Sequence, residues 1–283
     1  MADAHGLGPC ARKRAWEFES PPRHHKMDLR YSLGFRLVPK IYLLAQLLIL
    51  IGFSLAFIPL ATIWVNLLTA WSVAIVLELA LNALQKKIVH IPDAALISAT
   101  IIAGVLSTST PPLVIALVVA ISILAKHFLR YQNRHIFNPA TTGILLAVLL
   151  LGQSTEWWIA SNIFAIAVLG LFVLYKLRRL WTPAIFLVSY FLLLFLTTAD
   201  VSLEFIRSSI FADFSVYFFA FIMLPEPQTA AWTKRGRYVN AVLTALIAVV
   251  LTLTNIRDPL IVSLVVVNLF TPIVNEYTKL KRV

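Results

Sequence analysis

The chain has 283 residues, of which 60% are hydrophobic and only 13% are charged. Its mean hydropathy of +0.85 lies far above that of a soluble domain, so the composition indicates a polytopic membrane protein. The single cysteine, Cys10, excludes an internal disulfide, an iron–sulfur cluster and a structural zinc site made of cysteines. Any redox chemistry would therefore need an organic cofactor.

Residues 1–39 are predicted to be a cytoplasmic N-terminal arm. Residues 1–26 lack the apolar segment of a signal peptide and show no hydrophobic periodicity. Two interpretations of this stretch stay open. It is either a basic arm without folded structure, or an artefact of the gene prediction, with translation beginning at Met27.

Apolar runs bounded by charges or prolines fill the rest of the chain. They predict about ten transmembrane helices, at 41–58, 61–83, 94–110, 111–126, 138–153, 157–175, 180–197, 209–224, 238–254 and 259–275. The fold class is thus an all-α polytopic membrane protein, with one membrane domain at 40–276 and a cytoplasmic tail at 277–283. Several runs are shorter than the roughly 20 residues of a full span, so we expect their ends to be buried in protein.

Basic residues are concentrated in alternate loops. Of the 24 lysines and arginines, only Arg207 and Arg257 fall in the intervening loops. The positive-inside rule therefore places both termini in the cytoplasm, as a multi-pass protein of the inner (plasma) membrane. The net charge of +11 reflects this topology in membrane lipid, and we expect no binding of nucleic acid.

An even number of spans predicts two inverted repeats of about five helices each. Transporters with this arrangement hold their sites at the interface of the repeats, near short or broken helices. Pro92 opens the third predicted helix and Pro225 closes the eighth, both on the cytoplasmic side. The residues themselves show no evident repeat.

Two carboxylates fall within or beside predicted spans. Glu78 lies inside the second span, and Asp213 lies near the start of the eighth. Carboxylates in a membrane are ion or proton sites by default, although pairing with a partner is common, so both are candidates for an ion path. His127 flanks a span on the basic side and is expected to be solvated.

A second group of polar residues lies at the cytoplasmic ends of the predicted helices. Polar groups in this position are costly unless they hold something, which predicts a binding site. The group comprises Asp93, Arg134, His135, Asn138, Glu226, Thr229 and Arg237. A structural interpretation also stands, in which Asn138 caps a helix and Glu226 pairs with Arg237.

Several short motifs occur together with these residues. They are Pro92-Asp93, Pro111-Pro112, Lys126, Arg134-His135-Ile136-Phe137-Asn138-Pro139-Ala140 with Gly143, Phe218–Pro227, Thr233 with Gly236 and Arg237, and Asn268–Ile273. In this order they resemble the NqrB/RnfD family across residues 40–279. These are membrane subunits of the sodium-pumping NADH:quinone reductase and of the Rnf ferredoxin:NAD complex.

The resemblance implies a non-covalent flavin, either riboflavin or FMN, in the cytoplasmic half of the protein. The positions that match the family's flavin motifs are His135, Asn138 and Glu226. An asparagine suits the edge of an isoalloxazine ring because it offers two donors and an acceptor. Arginines and helix N-termini would stabilise the anionic reduced flavin.

One departure from the family concerns its covalent FMN. The family attaches FMN to the threonine of a Ser-Gly-Ala-Thr motif in an outer loop. This motif occurs nowhere in the chain, and the corresponding loop, Gly152–Glu156, is short. We therefore expect no covalent FMN and interpret the chain as a pared-down member.

The sequence thus predicts an integral membrane subunit of an electron transport complex that binds flavin and passes electrons, with coupling to Na⁺ or H⁺ translocation. It would be part of a multi-subunit oxidoreductase rather than an enzyme alone. Its partners would be other electron-transport subunits or a cytoplasmic oxidoreductase. The alternatives are a channel or transporter for a small solute on the same scaffold, and a structural subunit that only organises partners.

Overall fold

A computed structural model describes residues 39–85, 92–131, 134–198 and 202–279. Within these ranges the chain forms eleven α-helices. They are α1 (Pro39–Ser54), α2 (Leu60–Leu84), α3 (Asp93–Val105), α4 (Pro112–Phe128), α5 (Pro139–Leu150), α6 (Ile163–Leu177), α7 (Trp181–Thr197), α8 (Leu203–Phe211), α9 (Ser215–Phe218), α10 (Lys234–Leu253) and α11 (Pro259–Lys279). Residues 1–38 of the N-terminal arm, with Cys10, and residues 280–283 of the C-terminal tail lie outside the described residues.

Three further elements complete the fold. A short antiparallel ribbon pairs β1 (Arg130–Tyr131) with β2 (Arg134–His135) between α4 and α5. A 3₁₀ turn spans Trp158–Ala160, and a π-helical segment, Phe219–Met223, continues directly from α9. A π-helical segment is rare and often marks a functional site.

The described helices agree with the predicted apolar runs in position, but only some are long enough to span a membrane alone. By length and composition, α2, α10 and α11 qualify, and α8 with the segment from Ser215 to Met223 would be a fourth span bent by 45°. The predicted count of ten transmembrane helices is therefore not confirmed. The eighth predicted run, 209–224, is interrupted in the structure. Helix α8 ends at Phe211 and α9 begins at Ser215, a break that the apolar pattern did not reveal.

Helix α3 shows how a short apolar helix is accommodated. It has 13 residues, and its residues from Ile97 to Val105 are all buried against neighbouring helices. The chain beyond its end is also hydrogen-bonded within the protein, since the Ser107 amide donates to the Ser154 carbonyl at 3.0 Å. Burial of this kind keeps the backbone groups at the end of a short helix inside the protein.

Two glycines allow a helix to approach its neighbour closely, Gly170 at the π-helical segment and Gly104 at the 3₁₀ turn. A Cβ on Gly170 of α6 would lie 2.8 Å from the Cβ of Phe221, and one on Gly104 of α3 would lie 2.8 Å from the Cβ of Ile159. A side chain at either position would force its neighbour to move. These contacts hold the π-helical segment and the 3₁₀ turn against the core.

Interactions between helix ends define one face of the molecule, which we call the site face. At this face Lys40 at the start of α1 pairs with Asp93 at the start of α3, at 3.1 Å. Thr233 before α10 meets Thr278 near the end of α11, at 2.8 Å. Arg179 before α7 donates to the Pro225 carbonyl after the π-helical segment, at 3.0 Å. The positive-inside prediction assigns this face to the cytoplasm.

Candidate functional site

A large cavity opens at the site face and has a volume of about 690 Å³. We call it the central cavity. Its walls come from α1 to α5, the β-ribbon and the loop that follows the π-helical segment. The predicted residues that line it are Asp93, His135, Asn138, Glu226 and Glu78. The structure thus brings together residues separated by up to about 150 positions in the chain.

Asn138 both caps α5 and lines the central cavity. Its Oδ1 accepts a hydrogen bond from the Thr141 amide at 3.1 Å, and the side chain is only 3% exposed. Ser122 of α4 donates to the Pro139 carbonyl at 2.6 Å, which fixes the start of α5 against α4. The structural interpretation of Asn138 as a helix cap is therefore confirmed. The positive end of the α5 dipole lies at the cavity wall.

Glu226 lies in the loop after the π-helical segment and is half-buried. Burial raises the pKa of its carboxyl to about 7, although the hydrogen bond from Thr229 and the charges of Lys126 and Arg179 oppose that rise. Thr229 Oγ1 donates to Glu226 Oε2 at 3.1 Å. The suggested pairing of Glu226 with Arg237 is wrong, because Arg237 instead donates to the Trp232 carbonyl at 3.2 Å. At neutral pH the Glu226 carboxyl is poised to bind or release a proton.

His135 ends the β-ribbon beside the central cavity. Burial lowers the pKa of its imidazole to about 4, and the charges of Arg130 and Lys126 add to this effect. The ring is therefore neutral at physiological pH. Its Nδ1 is buried and has no hydrogen-bond partner among the described residues, so it can interact with a ligand.

Glu78 is at the centre of a buried charge cluster at the cavity wall. Its Oε1 accepts from Lys126 Nζ at 2.7 Å, and its Oε2 lies 3.0 Å from His127 Nε2. The expectation that His127 is solvated is wrong, since its side chain is only 2% exposed. Lys126 and His127 were not predicted as site residues. The available signal was Glu78 itself, because a carboxylate in a span requires a partner.

The structure does not bring every predicted residue to the central cavity. Thr229 reaches it only through Glu226 and lines a neighbouring small pocket with His135. Arg237 lines a separate pocket with other basic residues. Asp213 accepts hydrogen bonds from the amide and hydroxyl of Ser215, at the end of α9 remote from Glu226. The side chain of Arg134 lies outside the described residues.

The shifted pKa values of His135 and Glu226 predict opposite dependences of stability on pH. Between pH 6.5 and about 4 the unfolded chain binds a proton at His135 that the folded chain does not, so stability falls as pH falls. Between pH 4.5 and about 7 the folded chain holds the extra proton, on Glu226, so stability falls as pH rises. Thermal unfolding in detergent measures both effects. The variant His135→Gln should lose the decrease in Tm at falling pH, and Glu226→Gln should lose the decrease in Tm at rising pH, each a change of a few degrees. Profiles parallel to that of the parent protein would contradict both assignments.

Fold and site together define an α-helical integral membrane protein with a cavity lined by polar residues at one face. Residues 146–283, close to half of the chain, match the model of the NQR2, RnfD, RnfE family. This match confirms the resemblance to the NqrB/RnfD proteins for the C-terminal region of the chain. No curated protein matches the chain. Glu226, Thr229 and Arg237 lie inside the matched region, whereas Asp93, His135 and Asn138 precede it.

Proposed function

We propose that this chain is a flavin-binding membrane subunit of an electron transport complex, and that the central cavity holds riboflavin or FMN non-covalently. The observation that carries the proposal is the convergence of Asp93, His135, Asn138 and Glu226 on one cavity. Its volume of about 690 Å³ falls within the range of small-molecule sites. Two regions of the chain contribute to it, one inside the family match and one before it.

The residues present fit a flavin. Leu43, Ile97, Ile101 and Ile222 provide an apolar wall for a planar aromatic ring. His135 Nδ1 and the Glu226 carboxyl offer groups for the polar edge of that ring. A bound flavin would supply acceptance and release of electrons, which the side chains of this protein cannot do.

The charges of the central cavity suit a cofactor that becomes anionic. Lys40, Lys126 and Arg130 line it together with the N-terminal end of α5, and the carboxylates of Asp93 and Glu78 pair with the first two of these cations. Arg130 and the helix end leave an excess of positive charge that favours an anion, while Glu226 can hold or release the proton that accompanies reduction. Lys126 is oriented by Glu78, which acts as a positioning residue for that cation.

We further propose two inverted halves, α1–α5 and α6–α11, with α8 as an added amphipathic helix. The helix ends support this arrangement. Helices α1, α3 and α5 begin at the site face. Helices α6 and α11 end at this face, and α9 reaches it through the π-helical segment. The contacts of Asp93, Pro225 and Thr278 indicate these directions. The neighbour pattern also repeats, since α2 packs on α4 and α4 on α5, as α7 packs on α10 and α10 on α11.

The proposed function also includes a partner that supplies electrons and a path for ions. The electron donor would be a cytoplasmic oxidoreductase or another subunit that docks on the site face. Glu78 and Asp213 are our candidates for a path for Na⁺ or H⁺. Because the chain lacks the Ser-Gly-Ala-Thr motif, we propose that it carries no covalent FMN. The fate of the electrons then depends on a partner subunit.

A solute channel or transporter is the second candidate function. The polar lining of the central cavity and the absence of the outer FMN motif favour it over a merely structural role. It differs from the first proposal in one property, since a solute carrier has no need of flavin.

A flavin titration separates the two functions. Protein purified in mild detergent is expected to show flavin absorbance, or to bind added riboflavin or FMN with quenching of the flavin fluorescence. Flavin should be released on acid denaturation, because attachment is non-covalent. Absence of bound flavin together with no binding of either added flavin would overturn the redox proposal and leave the solute carrier.

A further inference from the structure

A second pocket lies at the site face, away from the central cavity. It is formed by the loop between α6 and α7 and by the first turn of α10, and has a volume of about 240 Å³. We call it the basic pocket. Its charged lining residues are Arg178, Arg179, Lys234 and Arg237. Among the residues that the structure describes, no carboxylate lines it, so its field is positive.

We propose that the basic pocket binds the phosphate of an anionic phospholipid from the adjacent membrane leaflet. Basic pockets between transmembrane helices on the cytoplasmic side bind anionic headgroups in this way. Two helices, α7 and α10, also begin at this pocket, at Trp181 and Lys234. The positive ends of the two helix dipoles add to the positive potential where a phosphate would sit.

Backbone and aromatic contacts hold three of the basic residues of this pocket in place. Arg179 Nη1 donates to the Pro225 carbonyl at 3.0 Å, and Arg237 Nη1 donates to the Trp232 carbonyl at 3.2 Å. Lys234 Nζ lies 5.9 Å from the centre of the Tyr238 ring. The contact with the Trp232 carbonyl orients the Arg237 guanidinium, which can present its other N–H donors to an oxyanion.

The apolar surface below the pocket suits the acyl chains of a lipid. Trp181 lines the pocket and is 64% exposed. On the same face of α7 follow Val188, Leu192 and Leu196, which are 68%, 55% and 72% exposed. Their spacing forms a continuous apolar stripe that leads from the pocket along the helix. A headgroup in the pocket would therefore place its chains on this stripe.

The position of the pocket favours a lipid over a soluble phosphate compound. Tyr175 and Trp181 flank it, and aromatic residues of this kind concentrate at the membrane interface. The basic pocket shares no lining residue with the central cavity, so its occupant is independent of the flavin proposal. A free phosphate or the phosphate of FMN shares the same chemistry and is distinguished by experiment.

The test is native mass spectrometry of the full chain in detergent, titrated with phosphatidylglycerol or phosphatidylcholine. We expect one phosphatidylglycerol to bind more tightly than phosphatidylcholine. The variant Arg178→Gln with Lys234→Gln should weaken phosphatidylglycerol about 25-fold, because each cation contributes a factor of about five near an anionic headgroup. Both side chains are exposed, so folding should be preserved. Lys234→Gln alone, a milder change, should weaken binding about fivefold.

A matched control removes two cations at the opposite face, Arg207→Gln with Arg257→Gln. It changes the net charge equally and should leave phosphatidylglycerol affinity within about twofold, since neither residue lines the pocket. Equal binding of the two lipids, or an equal loss in the control, would overturn the proposal. Displacement of the lipid by inorganic phosphate or FMN at comparable concentration would instead identify a soluble phosphate site.

Discussion

Replacing Glu78 with leucine is expected to lower the free energy of unfolding by about 3–5 kcal/mol. The substitution leaves the Lys126 ammonium buried without its carboxylate, which now lies 2.7 Å away. It also removes the partner of His127. A largely buried charge that loses its partner is poorly solvated, so the loss exceeds that of a surface ion pair. Equilibrium unfolding in mixed detergent micelles measures it.

Two further variants show whether the effect arises from the buried charge. Asp93→Leu breaks the pair of Asp93 with Lys40, whose side chains are 26% and 47% exposed, and should cost less than about 1 kcal/mol. Adding Lys126→Leu to Glu78→Leu removes both main charges and should recover a large part of the stability. A double variant no more stable than Glu78→Leu would contradict the explanation.

Replacing Ala94 with tryptophan is expected to weaken riboflavin binding by about 100-fold or more, which corresponds to about 2.7 kcal/mol. Ala94 lies in the first turn of α3 and lines the central cavity. An indole at this position would occupy space that the proposed flavin needs. Fluorescence titration of the purified variant with riboflavin measures the effect.

The matched control for this change is Ala116→Trp. Ala116 lines a lipid-facing groove between α2 and α4, together with Val76 and Leu113, and is remote from the central cavity. This variant should bind riboflavin as the parent protein does. Equal affinities in the Ala94 and Ala116 variants would place any flavin outside the central cavity. A folded Ala94 variant, judged by an unchanged gel-filtration profile, is required for the comparison.

The sequence pattern predicted several residues of the central cavity but not all of their interactions. It selected Asp93, His135, Asn138 and Glu226 because each is a polar group at the basic end of an apolar run, and all four line one cavity. It left open whether Glu78 pairs, and it missed His127 as the partner. That pairing joins residues 49 positions apart, and nothing in the local pattern of α2 or α4 specifies which helices are neighbours.

Arg237 illustrates the same limit on prediction. Its charge and position predicted a place beside Glu226, since both lie at the same end of neighbouring segments. In the structure the loop from Pro225 to Thr233 separates them, and Arg237 lines the basic pocket instead. Which residues at one membrane face share a pocket depends on the path of the loops, which is not encoded in hydropathy or charge.

The sequence by itself determined the class of this protein, the position of its apolar helices and the face at which its polar residues lie. Lipid imposes these features locally, because apolar length and loop charge act on each segment independently. Only the tertiary structure decided that the helix-end residues divide between a central cavity and a basic pocket, and that Glu78 is held by Lys126 and His127. Those outcomes depend on packing between distant segments, as in the contacts of α2 with α4.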